Sequence, residues 1–175
     1  MTSQAPPTKV PATRPSVPVK PVLTGPGTYT FQYQGATGSI QIPANILDPR
    51  LQRYGDYRRL AHARPITYLI AQVNNRSEET ITMYEVVVVT ATGQQIEATG
   101  ISDYIDTWSE TFAGDDADLD KYTRGLKLSN ASQFQLLPGA KGTAFLGAKE
   151  PITSVQRVFV YPAGPFVRVE ARRVK

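Results

Sequence analysis

Cysteine is absent from this 175-residue chain, and histidine occurs once, as His62. The first absence excludes disulfides, a thiolate nucleophile, a zinc–thiolate site and a lipidated cysteine within the sequence. The second excludes any metal site that needs two imidazoles. His62 is left as the sole candidate for a His-dependent triad, and no Gly-x-Ser-x-Gly elbow accompanies it. Set in Leu60-Ala61-His62-Ala63-Arg64, it reads as a surface or loop-packing residue. Long apolar runs are missing too. The longest, Val86-Val87-Val88-Val89, falls far short of the roughly 18 residues that a membrane-spanning helix needs. No apolar stretch of signal-peptide length opens the chain, so a cytosolic or particle-borne protein is expected, or one whose export signal has been removed.

What is present is enough for a folded core, since 41% of the residues are hydrophobic. The formal net charge of +4 is unevenly spread. Residues 97–120 hold Glu97, Asp103, Asp106, Glu110, Asp115, Asp116, Asp118 and Asp120, with no Lys or Arg. The basic residues elsewhere are scattered rather than gathered on one stretch, which argues against nucleic acid as the partner. Opposite charges on separate segments of one chain suit contacts between copies.

Proline is the most unevenly placed residue. Seven of the fourteen fall within residues 1–26, a stretch with no aromatic and no acid. Proline fixes φ and pushes the residue before it into extended backbone, so the stretch is expected as a polyproline-II arm reaching roughly 80 Å. Its candidate partner-binding residues are Pro6, Pro7, Lys9, Pro11, Arg14, Pro15, Pro18, Lys20 and Pro21.

From Gly27 the pattern changes to short strands and turns, and residues 27–175 are expected as one domain. Thr28–Tyr33 alternates aromatic with polar residues, and Ile40 and Ile42 continue the alternation after a turn at residues 35–38. Asp48-Pro49 is a helix start, with Asp48 as the cap. Residues 66–73 read as a strand with Tyr68 and Ile70 on one face and Leu69, Ala71 and Val73 on the other. Residues 81–92 read as the longest and most central strand. Residues 99–131 read as an irregular acidic insertion with helical turns near 103–112 and 118–124. Further strands are expected at 133–137, 143–146, 154–161 and 166–174, with a Pro138-Gly139 turn between the first two. Eight or nine short strands with turn residues between them predict an all-β fold, an antiparallel β-sandwich carrying one or two short helical turns.

The run Tyr68–Val73, the polar turn Asn74-Asn75-Arg76-Ser77, the strand ending Ala91-Thr92-Gly93 and the later Leu137-Pro138-Gly139 resemble the immunoglobulin-like domains of unknown function found in bacterial extracytoplasmic proteins. The resemblance covers about residues 66–161. It implies an immunoglobulin-like sandwich and carries no catalytic residues.

The acidic insertion offers two chemistries. Asp116, Asp118 and Asp120 alternate as the first ligands of a calcium loop do, but Lys121 and Lys127 stand where the EF-hand pattern needs Gly and an acid. A looser calcium site is left as the one cofactor candidate, and otherwise no cofactor is expected. Glu110 with Asp106 or Asp115, beside Trp108, has the composition of a glycosidase pair, although Trp108 serves equally as a packing anchor. Asn75-Arg76-Ser77 and Asn130-Ala131-Ser132 match the glycosylation tripeptide. The reading favoured by the sequence is a non-enzymatic structural or accessory protein, comparable in architecture to phage decoration proteins. It would dock through its arm and domain surface on a virion or other extracellular assembly, whose subunits include further copies of itself. The alternative is a binding module of the bacterial cell envelope, with the arm as linker.

Overall fold

A computed structural model of the protein describes residues 24–114 and 117–174. Eight strands form one sheet: β1 (Gly27–Tyr33), β2 (Ala36–Ile42), β3 (Thr67–Asn74), β4 (Glu85–Val89), β5 (Gln95–Gly100), β6 (Lys141–Ala148), β7 (Arg157–Tyr161) and β8 (Val169–Arg173). Every pairing is antiparallel, and the order β1-β2-β3-β6-β5-β4-β7-β8 closes into a barrel. The expected immunoglobulin-like sandwich is therefore overturned, since a sandwich is two separate sheets. Closure rests on two short seams. β6 meets β5 through Ala98↔Ala148, Thr99↔Gly147 and Gly100↔Leu146, and β1 meets β8 through Tyr29↔Arg173 and Thr30↔Arg172. Without these seams, the same in–out alternation would serve two stacked sheets.

The barrel interior is filled by side chains. Tyr29, Phe31, Ile40, Leu69, Val86, Val88, Leu146, Val158 and Val160 pack into one buried cluster, as expected when eight strands close around a space just wide enough for side chains. Ile81, Met83 and Leu136 stop one end, and Ile152 and Val155 join the cluster from the loop crossing the other. The sequence placed strands at 81–92 and 133–137, but the ladder keeps only Glu85–Val89. Ile81 and Leu136 instead exchange both backbone hydrogen bonds as an isolated bridge, at 3.0 and 2.8 Å. The β1–β2 turn also sits two residues earlier than expected. Gln34 and Gly35 both take positive φ, the geometry of a type I′ hairpin. Gly38 lies within β2, where the Phe31 ring occupies the space that a side chain would need.

Three helices lie outside the barrel, α1 (Gln52–Leu60) and α2 (Ile101–Ser109) against its wall and α3 (Leu119–Asn130) packed on α2. Residues 99–131 are thus largely helical rather than irregular, and more helix is present than one or two turns. The signal lay in Ile101, Ile105 and Trp108, a one-sided apolar stripe buried on α2 beneath the acids that dominate the composition. Tyr54 and Tyr57 of α1 join that stripe and the outward residues Tyr68 and Ile70 of β3 in a second buried cluster. Asp48 caps the entry to α1, accepting the Arg50 N–H at 2.9 Å with Pro49 following, as the sequence indicates.

A buried polar knot joins the helices. Tyr57 Oη lies 3.0 Å from Ser109 Oγ and 3.1 Å from the Lys121 carbonyl, and Ser109 Oγ donates to the Ile105 carbonyl at 2.7 Å. Room for this contact comes from Gly125 on α3, where a methyl group would overlap both hydroxyls. Gly125→Ala should therefore cost about 1–3 kcal/mol and lower Tm by about 3–8 °C in a thermal melt followed by circular dichroism. An unchanged Tm would mean that α3 does not hold this close approach in solution.

Candidate interaction surface

The point where the Pro-rich segment meets the barrel is held by four hydrogen bonds. The Gly25 N–H donates to the Val155 carbonyl at 2.6 Å. Tyr29 Oη donates to the Gly25 carbonyl at 2.6 Å. Arg173 donates to the Pro26 carbonyl through Nε at 3.2 Å and Nη2 at 2.9 Å. Burial pushes the Tyr29 phenol upward, against the opposing charge of Arg173. These bonds are possible because β1 and β8 pair at one seam, which brings Tyr29 opposite Arg173. The last residues of the expected arm are thus part of the barrel, and its base has a fixed position.

The neighbouring barrel wall presents a polar face that is largely uncharged, with Arg172 and Lys141 at the ends of its rows. Register places Arg172, Thr30, Ser39, Gln72 and Thr143 side by side across β8, β1, β2, β3 and β6. A second row runs Gln32, Thr37, Asn74 and Lys141. Together they border an open recess of about 1160 Å³. Hydroxyls and amides both donate and accept, so such a face can pair with the polar groups of a protein partner without burying a lone charge. The alternation in Thr28–Tyr33 marks each of its own residues as outward. Only cross-strand register reveals that they form continuous rows.

Residues 1–23, including Pro6, Pro7, Lys9, Pro11, Arg14, Pro15, Pro18, Lys20 and Pro21, lie outside the described residues, as do Asp115 and Asp116. Of the calcium triplet, Asp118 is the N-cap of α3. Its Oδ1 accepts the Lys121 N–H at 3.1 Å, and its Oδ2 pairs with Lys121 Nζ at 2.8 Å, which holds its pKa down. Asp120 is exposed within the first turn of the same helix. Among the described residues, no group of three or more His, Cys, Asp or Glu is placed to hold a metal ion. Trp108 is buried against Tyr104 at 6.1 Å between ring centroids, while Asp106 and Glu110 are exposed on α2 and its following turn. His62 takes positive φ just past α1, and its N–H donates to the Arg59 carbonyl at 3.0 Å, so its position is set by the backbone.

Asn75 is a structural residue that the sequence showed only as part of a turn. It is fully buried, and its amide donates to the Glu79 and Leu136 carbonyls at 2.7 and 2.8 Å. Its oxygen accepts from the Ser77 N–H at 3.0 Å and Ser77 Oγ at 2.6 Å. All its hydrogen-bonding capacity is used inside the fold, which leaves the first glycosylation tripeptide inaccessible. The Pro138-Gly139 turn forms as expected, with Gly139 at φ +82° and the Ala140 N–H donating to the Leu137 carbonyl.

No described helix is long and apolar enough to cross a membrane. No family model matches the chain, and no curated protein or solved structure matches it.

Removing residues 1–26, which also deletes the anchored base, should lower Tm by about 4–8 °C more than removing residues 1–23 in calorimetry. Equal effects from both truncations would contradict the anchoring. Glu85, half-buried on the outer face of β4, has its carboxyl pushed up by burial and by the nearby Glu97. A raised folded pKa means that its stabilising share is complete below the ordinary value of 4.5 and is lost as pH rises through the folded value. Glu85→Gln should therefore raise Tm by about 1–3 °C at pH 7, with the difference vanishing near pH 4. A gain that persists at pH 4 would rule out titration as its cause.

Proposed function

We propose that the protein is a non-enzymatic accessory subunit of a larger protein assembly, with the barrel as a compact head and residues 1–26 as the docking arm. The observation that carries this reading is the anchored base of the arm. A loose linker has no need of four hydrogen bonds at its junction, whereas a segment that must lie along a neighbour gains from leaving the head in a fixed place. Polyproline-II backbone has little conformational freedom left to lose on docking, so such an arm adds affinity at small entropic cost. The filled barrel and the polar rows beside the arm's base agree with this role, because they offer outer surface rather than an enclosed site.

The test uses tagged full-length chain expressed in its native host. It should sediment with a multisubunit particle, and the chain lacking residues 1–23 should remain at the top of the gradient. Full-length chain that stays free at all stages of growth would overturn the proposal.

A further inference from the structure

A groove of about 1010 Å³ runs between α2 and the barrel wall. It opens at the end of the barrel from which the arm leaves. β1 begins there, and so do β3 and β5, while β6 ends there. Ile66 precedes β3, and Glu150 follows β6. Glu150 also starts the loop that reaches Val155, the residue that holds Gly25. The five peptide links from Glu150 to Val155 span at most about 18 Å.

The groove has an acidic rim and an aromatic wall, formed by the partly buried Tyr104 ring and backed by the nearly buried Trp108. Tyr104 and Trp108 stand one turn apart on α2, with ring centroids 6.1 Å apart and planes tilted by 53°. The Tyr104 ring lies against the bare backbone of Gly147, where a methyl group would sit 2.8 Å from Ile66 Cδ1 and 3.0 Å from Tyr104 Cε2. Glu97, Asp103 and Glu150 line the same groove, and none of the four ion pairs among the described residues involves them. Arg64 and Lys149 lie at the groove as well, so its charge is mixed and the acids are in excess.

Aromatic side chains flanked by acids are the means by which proteins hold basic proline-rich segments, since the rings receive the rigid pyrrolidines and the acids receive the flanking cations. This chain carries such a segment itself. Residues 1–23 contain six prolines, Lys9, Arg14 and Lys20, and no acid. A stretch of 23 residues in polyproline II would extend about 70 Å, well beyond the roughly 18 Å that bounds the path from Val155 to Glu150.

We propose that the groove between α2 and the barrel is the receptor for residues 1–23 of this chain, filled in a lone molecule by its own segment and between neighbours by exchange. The inference rests on the docking-arm reading in treating residues 1–23 as a ligand, and it names the surface that receives them. Exchange of an identical element between copies costs little, because each groove receives the same segment whichever molecule supplies it.

The composition supplies a clean measurement. Trp108 is the sole tryptophan and lines the groove, and the absence of cysteine lets a single Ala12→Cys carry a dansyl acceptor on the full-length chain. Energy transfer from Trp108 should fall at least about twofold on Glu97→Lys with Asp103→Lys, and equally on Lys9→Glu with Arg14→Glu and Lys20→Glu, each at unchanged Tm. Raising NaCl to about 1 M should weaken it in the same direction. Transfer independent of protein concentration from about 0.1 to 50 µM identifies a chain's own segment in the groove, and transfer that grows with concentration identifies exchange; either supports the proposal. Transfer indifferent to both sets of charge reversals overturns it. If particle binding in the host still needs residues 1–23 in that case, the docking-arm reading stands and the receptor lies elsewhere.

Discussion

β3 is buried on both faces, and the rest of the molecule is arranged around that constraint. Leu69, Ala71 and Val73 point into the barrel, while Tyr68 and Ile70 point outward into the second core. A strand of this kind cannot be left open to water on either side, so the barrel requires a cover. α1 and α2 provide it with Leu51, Tyr54, Tyr57, Ile101, Ile105 and Trp108. The wall they cover and the wall they leave bare divide the outside of the barrel. The bare part of β1, β2, β3 and β6 becomes the polar rows, and the helical cover creates the groove beside α2.

The two cores are of different character. The inner one is almost wholly aliphatic and aromatic, with Gly38 making space for the Phe31 ring on the neighbouring strand. The outer one contains hydroxyls, and the contacts of Tyr57 and Ser109 give the three helices a specific mutual placement that apolar packing alone would leave less defined. Close approach at Gly125 makes that placement sensitive to a single methyl group.

Much of the fold was legible in the residues. The faces of β3, the cap at Asp48 and the Pro138-Gly139 turn could each be read from local periodicity or turn chemistry. Closure could not. Inward and outward residues alternate identically in a barrel and in stacked sheets, and the difference lies in seams of two and three residue pairs that join strands far apart in sequence. The helices at 101–109 and 119–130 were obscured because the buried residues form only a narrow stripe on the first and are the small Gly125 and Ser129 on the second. The candidate surface was legible only in pieces. The charge and proline content of residues 1–26 marked an arm, but the hydrogen bonds at Gly25 and Pro26 depend on Val155 and Arg173, more than a hundred residues away. Asp118 shows the opposite error, in which a ligand-like spacing turned out to be a helix cap with its own lysine.

A closed sheet also has no free rim. Each strand of the barrel has a partner strand on both sides, so no strand offers a wholly free edge for another polypeptide to extend. The Pro-rich segment is equally unsuited to backbone pairing, because six of its residues lack an amide hydrogen. Neither half of the chain offers a long free edge for generic main-chain contact. Recognition is left chiefly to side chains, so copies held at high local concentration do not join strand to strand by default.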